Sequence, residues 1–157
     1  DAPGAPTRLV DMGIEPYLVA FSLEAVLAQR LVRLICPDCR ETVQPTDPPA
    51  LVRQMGGEAP EMIYEGAGCR QCQGTGYRGR RGIFELMNMT EGLQTMILEG
   101  ASSGEVRKIA LQQGMVSLRE DGWRHVREGA TTVEEVLRVT KDERMEVEKE
   151  ESAPRGS

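Results

Sequence analysis

Four cysteines arranged in two pairs are the residues of this chain whose type and spacing indicate chemistry. The 157-residue sequence contains Cys36, Cys39, Cys69 and Cys72, and two residues separate the members of each pair. Two such turns supply four thiolates, and Zn²⁺ binds four thiolates tetrahedrally with a closed coordination shell. The spacing therefore predicts one structural Zn²⁺ held by these four side chains, without the open position that a catalytic zinc needs.

The alternative is that the four thiols are buried or reactive and bind no metal. No export signal is visible at the start of the sequence, and paired cysteines in a reducing compartment favour a metal over disulfides. Residues 40–68 separate the two pairs. This gap is longer than in compact zinc ribbons, so we expect a small subdomain between the pairs.

The sequence does not meet the requirements of either of two glycine patterns for phosphate binding. Gly74, Gly76 and Gly79 match the dinucleotide fingerprint, but a cysteine turn precedes them and a strand is predicted to follow, whereas the fingerprint needs a strand and then a helix. No lysine of the sequence follows a glycine, so the phosphate loop of ATP-binding proteins is absent. We therefore predict no catalytic or nucleotide-binding residue in this chain and expect that it does not hydrolyse ATP alone.

The other conspicuous polar side chains are interpreted as packing or surface residues. His125 is the single histidine, and with four thiols available we interpret it as a packing or surface residue. Three arginines follow the second pair: Arg78, Arg80 and Arg81. We favour a solvated turn for them over a site that contacts an anion or another protein. Arg33 is interpreted as a surface residue in a salt bridge.

The composition excludes two classes of partner. The chain has 25 Asp and Glu against 19 Lys and Arg, and 4% aromatic residues. An acidic chain with few aromatic side chains is not expected to bind nucleic acid. No apolar run of about 18 residues exists, so direct membrane insertion is not expected. The sequence starts at Asp1 without an initiating methionine, and we interpret it as part of a longer protein.

The elements that position the cysteines are predicted mainly as helices. Apolar spacing and capping residues predict helices over residues 1–13, 22–34, 50–55, 90–99, 102–113, 117–128 and 132–139, and one strand over 83–87. The expected fold class is α-rich (α+β): a small tetracysteine zinc subdomain inserted between helices, one short strand or hairpin, and a C-terminal helical bundle. The expected domains are 1–35, 36–82 and 83–140, followed by a charged tail, 141–157, without regular structure.

Taken together, four segments resemble the ATPases of type II secretion and type IV pilus assembly. The segments are Asp1–Leu9, Leu27–Arg33, Cys36–Cys39 and Gly68–Glu85. Each is weak alone, but they occur in order, and the resemblance runs from Asp1 to about Thr140. In that family the Walker, aspartate-box and histidine-box motifs lie upstream of the matching residues. Residues 1–35 would then be the last helices of the ATPase core, and only the four cysteines carry over, as metal ligands.

The resemblance implies a homo-hexameric cytoplasmic ATPase, peripheral to the inner membrane, that docks on a membrane platform protein. Such a parent protein would use ATP and Mg²⁺ to move pilins or pseudopilins. Retraction ATPases of pili usually lack the cysteine subdomain, so the resemblance favours the assembly or secretion side.

Two other interpretations remain at this point. Cys69, Cys72, Gly74 and Gly76 match one repeat of the cysteine-rich region of J-protein chaperones, which would make the chain a zinc-dependent client-binding module. That region uses four such repeats, and Cys36 and Cys39 lack the glycines. The other interpretation, a zinc-ribbon nucleic-acid binder, is disfavoured by the acidic composition.

Overall fold

The fold combines helices and strands, as expected. The computed structural model describes residues 1–47 and 60–140. Within these residues it has six helices and four strands: α1 (Gly4–Asp11), α2 (Pro16–Ser22), β1 (Ala25–Ile35), β2 (Arg40–Val43), β3 (Ile63–Gly66), β4 (Tyr77–Asn88), α3 (Glu91–Leu98), α4 (Ser103–Gln112), α5 (Leu118–Arg127) and α6 (Val133–Val139). None of the described helices is both long enough and apolar enough to span a membrane. The predicted helix 50–55 and the tail 141–157 lie outside the described residues.

The helix predicted over residues 22–34 is wrong, because most of this segment forms strand β1. Its apolar residues fit helical spacing. Because apolar residues also lie on both faces of the strand, the segment lacks the strict alternation of apolar and polar residues that indicates a strand. Val26 packs into a core and Val32 is buried, while Leu27 and Leu31 point outward and are exposed. The pairing partner of β1 is β4, a strand distant in sequence, and such tertiary pairing overrides local propensity.

Strands β1 and β4 are antiparallel. The Met89 N–H donates to the Glu24 carbonyl (2.8 Å) at one end, and the Cys36 N–H donates to the Gly76 carbonyl (2.9 Å) at the other. Strand β4 is longer than the predicted 83–87, since it begins within the glycine-rich segment. The bond at Met89 sets Leu27 opposite Leu86 on the outer face of the pair.

Contacts divide the described residues into two compact units. Unit 1 contains residues 1–29 and 84–118, and unit 2 contains the described residues of 30–83 together with 119–140. The four helices predicted for the last third are present, but α3 and α4 belong to unit 1 whereas α5 and α6 belong to unit 2. They therefore do not form the single C-terminal bundle that was predicted. The predicted domain boundaries stay a prediction.

Unit 1 has an apolar core and an apolar outer surface. The core is formed by buried side chains from the chain start, β4, α3, α4 and the loop after α4: Ala2, Met87, Leu93, Val106, Ala110 and Met115. On the outer face of the β1–β4 pair, Leu27, Phe84 and Leu86 are 62%, 45% and 50% exposed. Unit 1 thus exposes large apolar side chains on the sheet face away from its core.

Unit 2 joins α6 to β1 through one buried carboxylate. Glu135 is fully buried and accepts hydrogen bonds from the backbone N–H of Arg33 (3.0 Å) and from the Arg33 guanidinium (2.9 and 3.0 Å). Arg138 also donates to it, at 2.6 and 3.0 Å. The Arg33 guanidinium lies over the Tyr77 ring at 4.1 Å. Arg33 is thus in a salt bridge, as expected, and its partner fixes the last helix to β1.

Lowering the pH is expected to remove the stabilisation that Glu135 provides. Burial raises the pKa of this carboxyl, but hydrogen bonds from Arg138 and Arg33 outweigh burial and hold the pKa at about 2, below its ordinary 4.5. A depressed folded-state pKa stabilises the fold above pH 4.5, and this contribution is lost as the pH falls towards 2. Both arginines are partly exposed, so we expect a contribution of about 1–3 kcal/mol.

The measurement is urea unfolding of the wild type and Glu135→Gln between pH 7 and pH 3. The difference between the two chains is expected to be largest near neutral pH and to shrink with acidification. Both chains carry the same four cysteines, and they are compared only at pH values at which both retain the zinc. Glu134→Gln, at an exposed neighbouring position, is the matched control. A difference that is constant over the pH range would contradict the assignment.

Candidate metal centre

The structure brings the four predicted cysteines together in unit 2. Their sulfur atoms all lie within 4.8 Å of one another. The Sγ atoms are separated by 3.9 Å for Cys36 and Cys69, 3.8 Å for Cys39 and Cys72, and 3.7 Å for Cys69 and Cys72. All four are free thiols, with Cys36 and Cys72 buried and the other two partly buried. This donor set could hold a metal ion.

The first cysteine pair lies where β1 ends and β2 begins. Cys36 directly follows β1, Pro37–Cys39 form a 3₁₀ turn, and β2 starts at Arg40. Proline suits the first position of such a turn because its fixed φ is already helical. The Cys39 N–H donates to the Cys36 carbonyl at 3.3 Å. A strand, rather than the predicted helix, therefore delivers the first pair.

The second cysteine pair lies in a turn whose backbone N–H groups donate hydrogen bonds to one of the sulfur atoms. The backbone N–H groups of Cys69 and Gly76 donate to the Cys72 Sγ at 3.1 and 3.3 Å. These bonds, first that from Cys69, lower the pKa of the Cys72 thiol to about 6. Burial raises the pKa of Cys36 and raises that of Cys39 to about 12. Four thiolates this close need a cation to offset their charge, which is what a bound metal ion supplies.

Backbone contacts at glycines join the two cysteine turns. Strands β2 and β3 pair antiparallel, with Arg40 opposite Gly66, and the Ala67 N–H donates to the Cys39 carbonyl at 2.9 Å. A Cβ on Gly66 would lie 2.1 Å from the Gly76 carbonyl oxygen, and one on Gly68 would lie 2.7 Å from that of Gly74. The two chain segments can approach this closely only because glycines occupy these positions.

Sequence reasoning found the four sulfur atoms but missed the residues that hold them in place. Gly66 and Gly68 immediately precede the second pair, and this density of glycine was the available signal. Glu135 was predicted only as part of a helix cap. His125 is buried and its Nδ1 lies 3.1 Å from the Glu128 carboxylate, as expected for a packing residue.

The arginines near the second pair lie in surface ion pairs. Arg78 contacts Asp38 at 3.3 Å and Arg81 contacts Glu128 at 3.5 Å. Both guanidinium groups are more than half exposed. These contacts fit the solvated turn that was favoured from the sequence.

Comparison with known proteins gives one consistent family. The model of the family described as "Type II/IV secretion system protein" matches residues 1–138. The Type IV pilus assembly ATPase PilB of Myxococcus xanthus is 45% identical over 149 residues, covering 92% of this chain and 26% of that protein. The Type II secretion system protein E of Pseudomonas aeruginosa is 46% identical over 142 residues, covering 90% and 28%.

A third relative, the Type II secretion system ATPase E of Vibrio cholerae, is 44% identical over 141 residues, covering 90% of this chain and 28% of that protein. The chain thus spans about a quarter of the length of the curated relatives it matches. The family match runs through both cysteine pairs and through helices on either side of them. The chain belongs to the type II/IV secretion system protein family.

Proposed function

We propose that this chain is the C-terminal part of a motor ATPase of type II secretion or type IV pilus assembly, and that its four cysteines form a structural zinc centre. The family match over residues 1–138 and the names of the relatives support the motor assignment. The match includes segments far from the cysteines, so the J-protein alternative, which rests on one cysteine repeat, is not favoured.

The distances between sulfur atoms carry the zinc assignment. A tetrahedral zinc with Zn–S bonds of about 2.3 Å requires sulfur atoms about 3.8 Å apart. Three pairs of Sγ atoms are 3.7, 3.8 and 3.9 Å apart, and all four atoms lie within 4.8 Å of one another. Four thiolates fill the coordination shell, so an ion bound here acts on no substrate. It would stabilise the fold by tying the end of β1 to the segment that precedes β4.

The activity of the parent protein is part of the same proposal. The family resemblance places the nucleotide-binding motifs outside this chain, so ATP and Mg²⁺ would bind elsewhere in a homo-hexamer. The parent would be cytoplasmic and peripheral to the inner membrane through a platform protein. In that setting unit 2, made rigid by the metal, would provide a surface for docking on the platform protein.

A double cysteine variant of the full-length parent tests the motor and docking roles separately. The wild-type parent is expected to hydrolyse ATP. Cys69→Ser with Cys72→Ser removes the metal from unit 2 and, if the parent stays hexameric, is expected to keep basal ATPase activity and lose platform binding and transport. A parent without ATPase activity overturns the motor assignment. A hexameric variant that binds the platform protein normally overturns docking and leaves zinc as a stabiliser of the fold.

A further inference from the structure

Unit 2 contains an open groove beside the first cysteine turn. The groove has a volume of about 870 Å³. Its lining is mainly apolar and includes four apolar residues, here called the floor: Leu34, Ile35, Pro37 and Ala130. Sites of this size that combine an apolar floor with a few polar groups are typical binding sites. No cysteine is among the residues that line the groove, and the proposed zinc centre gives the groove no role.

Three arginines, Arg40, Arg78 and Arg81, line the groove. Arg78 and Arg81 are 59% and 52% exposed, and each makes one ion pair with a half-exposed carboxylate. Such surface pairs contribute little free energy, and a guanidinium has five N–H donors. Both arginines therefore retain donors that a bound carboxylate can accept from.

Arg40 is held in place without a carboxylate partner in the part of the chain that the structure describes. Its guanidinium lies over the Tyr64 ring at 4.1 Å. Gly129 lies against both side chains, since a Cβ there would lie 2.6 Å from the Tyr64 ring and 3.0 Å from an Arg40 nitrogen. Stacking on an aromatic face orders the side chain and uses none of its five N–H donors. Arg40 is thus a preorganised cation at the groove.

We propose that this groove binds an acidic segment of a partner protein, with an apolar side chain on the floor and carboxylates on Arg40 and its two neighbours. The apolar residues of the lining disfavour a free phosphate. The planar guanidinium group of arginine can donate two parallel hydrogen bonds to one carboxylate. The proposal names the chemistry of the docking partner and rests on the docking role proposed above.

Binding of synthetic peptides to the zinc-loaded chain tests this proposal. The probe is a fluorescent peptide of alternating glutamate and leucine, measured by anisotropy, with amide chemical shifts of Gly79 and Ala130 locating the site. Arg40→Gln and Arg78→Gln are each expected to weaken binding by about tenfold or more, the cost of a charged hydrogen bond. Arg8→Gln, at an exposed position of α1, changes the net charge equally and is expected to have no effect.

A charge exchange separates recognition from structural damage. Arg40→Glu with Arg78→Glu is expected to lose the glutamate–leucine peptide and to bind a lysine–leucine peptide instead. Unchanged affinity in Arg40→Gln and Arg78→Gln overturns the proposal. Binding of inorganic phosphate or phosphatidylglycerol vesicles without binding of the peptide also overturns it. The zinc content of the same samples is measured in parallel, so a failed zinc assignment is distinguished from a failed peptide site.

Discussion

Removing the metal is expected to unfold unit 2. Purified without added metal, the chain should contain about one zinc ion. Structural zinc in small peptides contributes about 10–16 kcal/mol at neutral pH, which is comparable to the total stability of a typical domain, about 5–15 kcal/mol. Chelation, or Cys72→Ser, should therefore leave unit 2 without enough apolar burial to stay folded.

The fluorescence of Trp123 is the direct measurement. It is the only tryptophan of the chain, it lies in unit 2, and it is 2% exposed. Its emission is expected to shift to longer wavelength on chelation and to return when zinc is added back. Gln71→Ser, an exposed position between Cys69 and Cys72, is the matched control and should behave like the wild type. Four titratable thiols in a folded, zinc-free chain would show that the assignment is wrong.

Gly66→Ala is expected to destabilise unit 2, although Gly66 provides no metal ligand. The new Cβ would lie 2.1 Å from the Gly76 carbonyl oxygen and 2.7 Å from its carbon. The Gly76 segment cannot move away freely, because its N–H donates to the Cys72 Sγ and its carbonyl accepts from Cys36. We expect a loss of about 3 kcal/mol, at the upper end of the usual cost of overpacking, and weaker zinc binding.

Comparing Gly66→Ala with Gly74→Ala separates the effect of steric overlap from that of backbone strain. Gly74 has a φ of +78°, but a Cβ there meets no atom within 4 Å. It should therefore cost only about 1–2 kcal/mol, from the left-handed backbone. Urea unfolding followed by Trp123 and competition with a zinc-binding dye measure both variants. If Gly66→Ala is no worse than Gly74→Ala, the close approach of the two segments does not limit the site.

Features fixed by neighbouring residues were predicted well. The Thr90, Ser102 and Thr132 hydroxyls each accept from a backbone N–H three residues later, and they begin α3, α4 and α6 as predicted. Ser102 and Glu105 form a complete capping box. Thr132 and Glu135 have the residue types and spacing of such a box, but it is incomplete, because the carboxylate of Glu135 is bound by Arg33 and Arg138 instead.

Features fixed by distant pairing could not be predicted. The spacing within each cysteine pair identified the ligands because it reflects the geometry of a single turn. The strand β1 depends on β4, and the role of Gly66 depends on Gly76, so neither is visible in a local window. Helix α2 shows the same limit on a smaller scale: it begins at Pro16, and no helix was predicted between residues 13 and 22.

The outer face of the β1–β4 pair in unit 1 has a consequence for the solution behaviour of this chain. Its net charge of −6 makes copies repel one another, and added salt screens that repulsion. Leu27, Phe84 and Leu86 provide an opposing attraction that is hydrophobic in origin. That attraction strengthens on warming and in sulfate, and weakens in urea. Unless another surface covers this face, cold, low-sulfate buffers are the conditions that keep the chain dispersed.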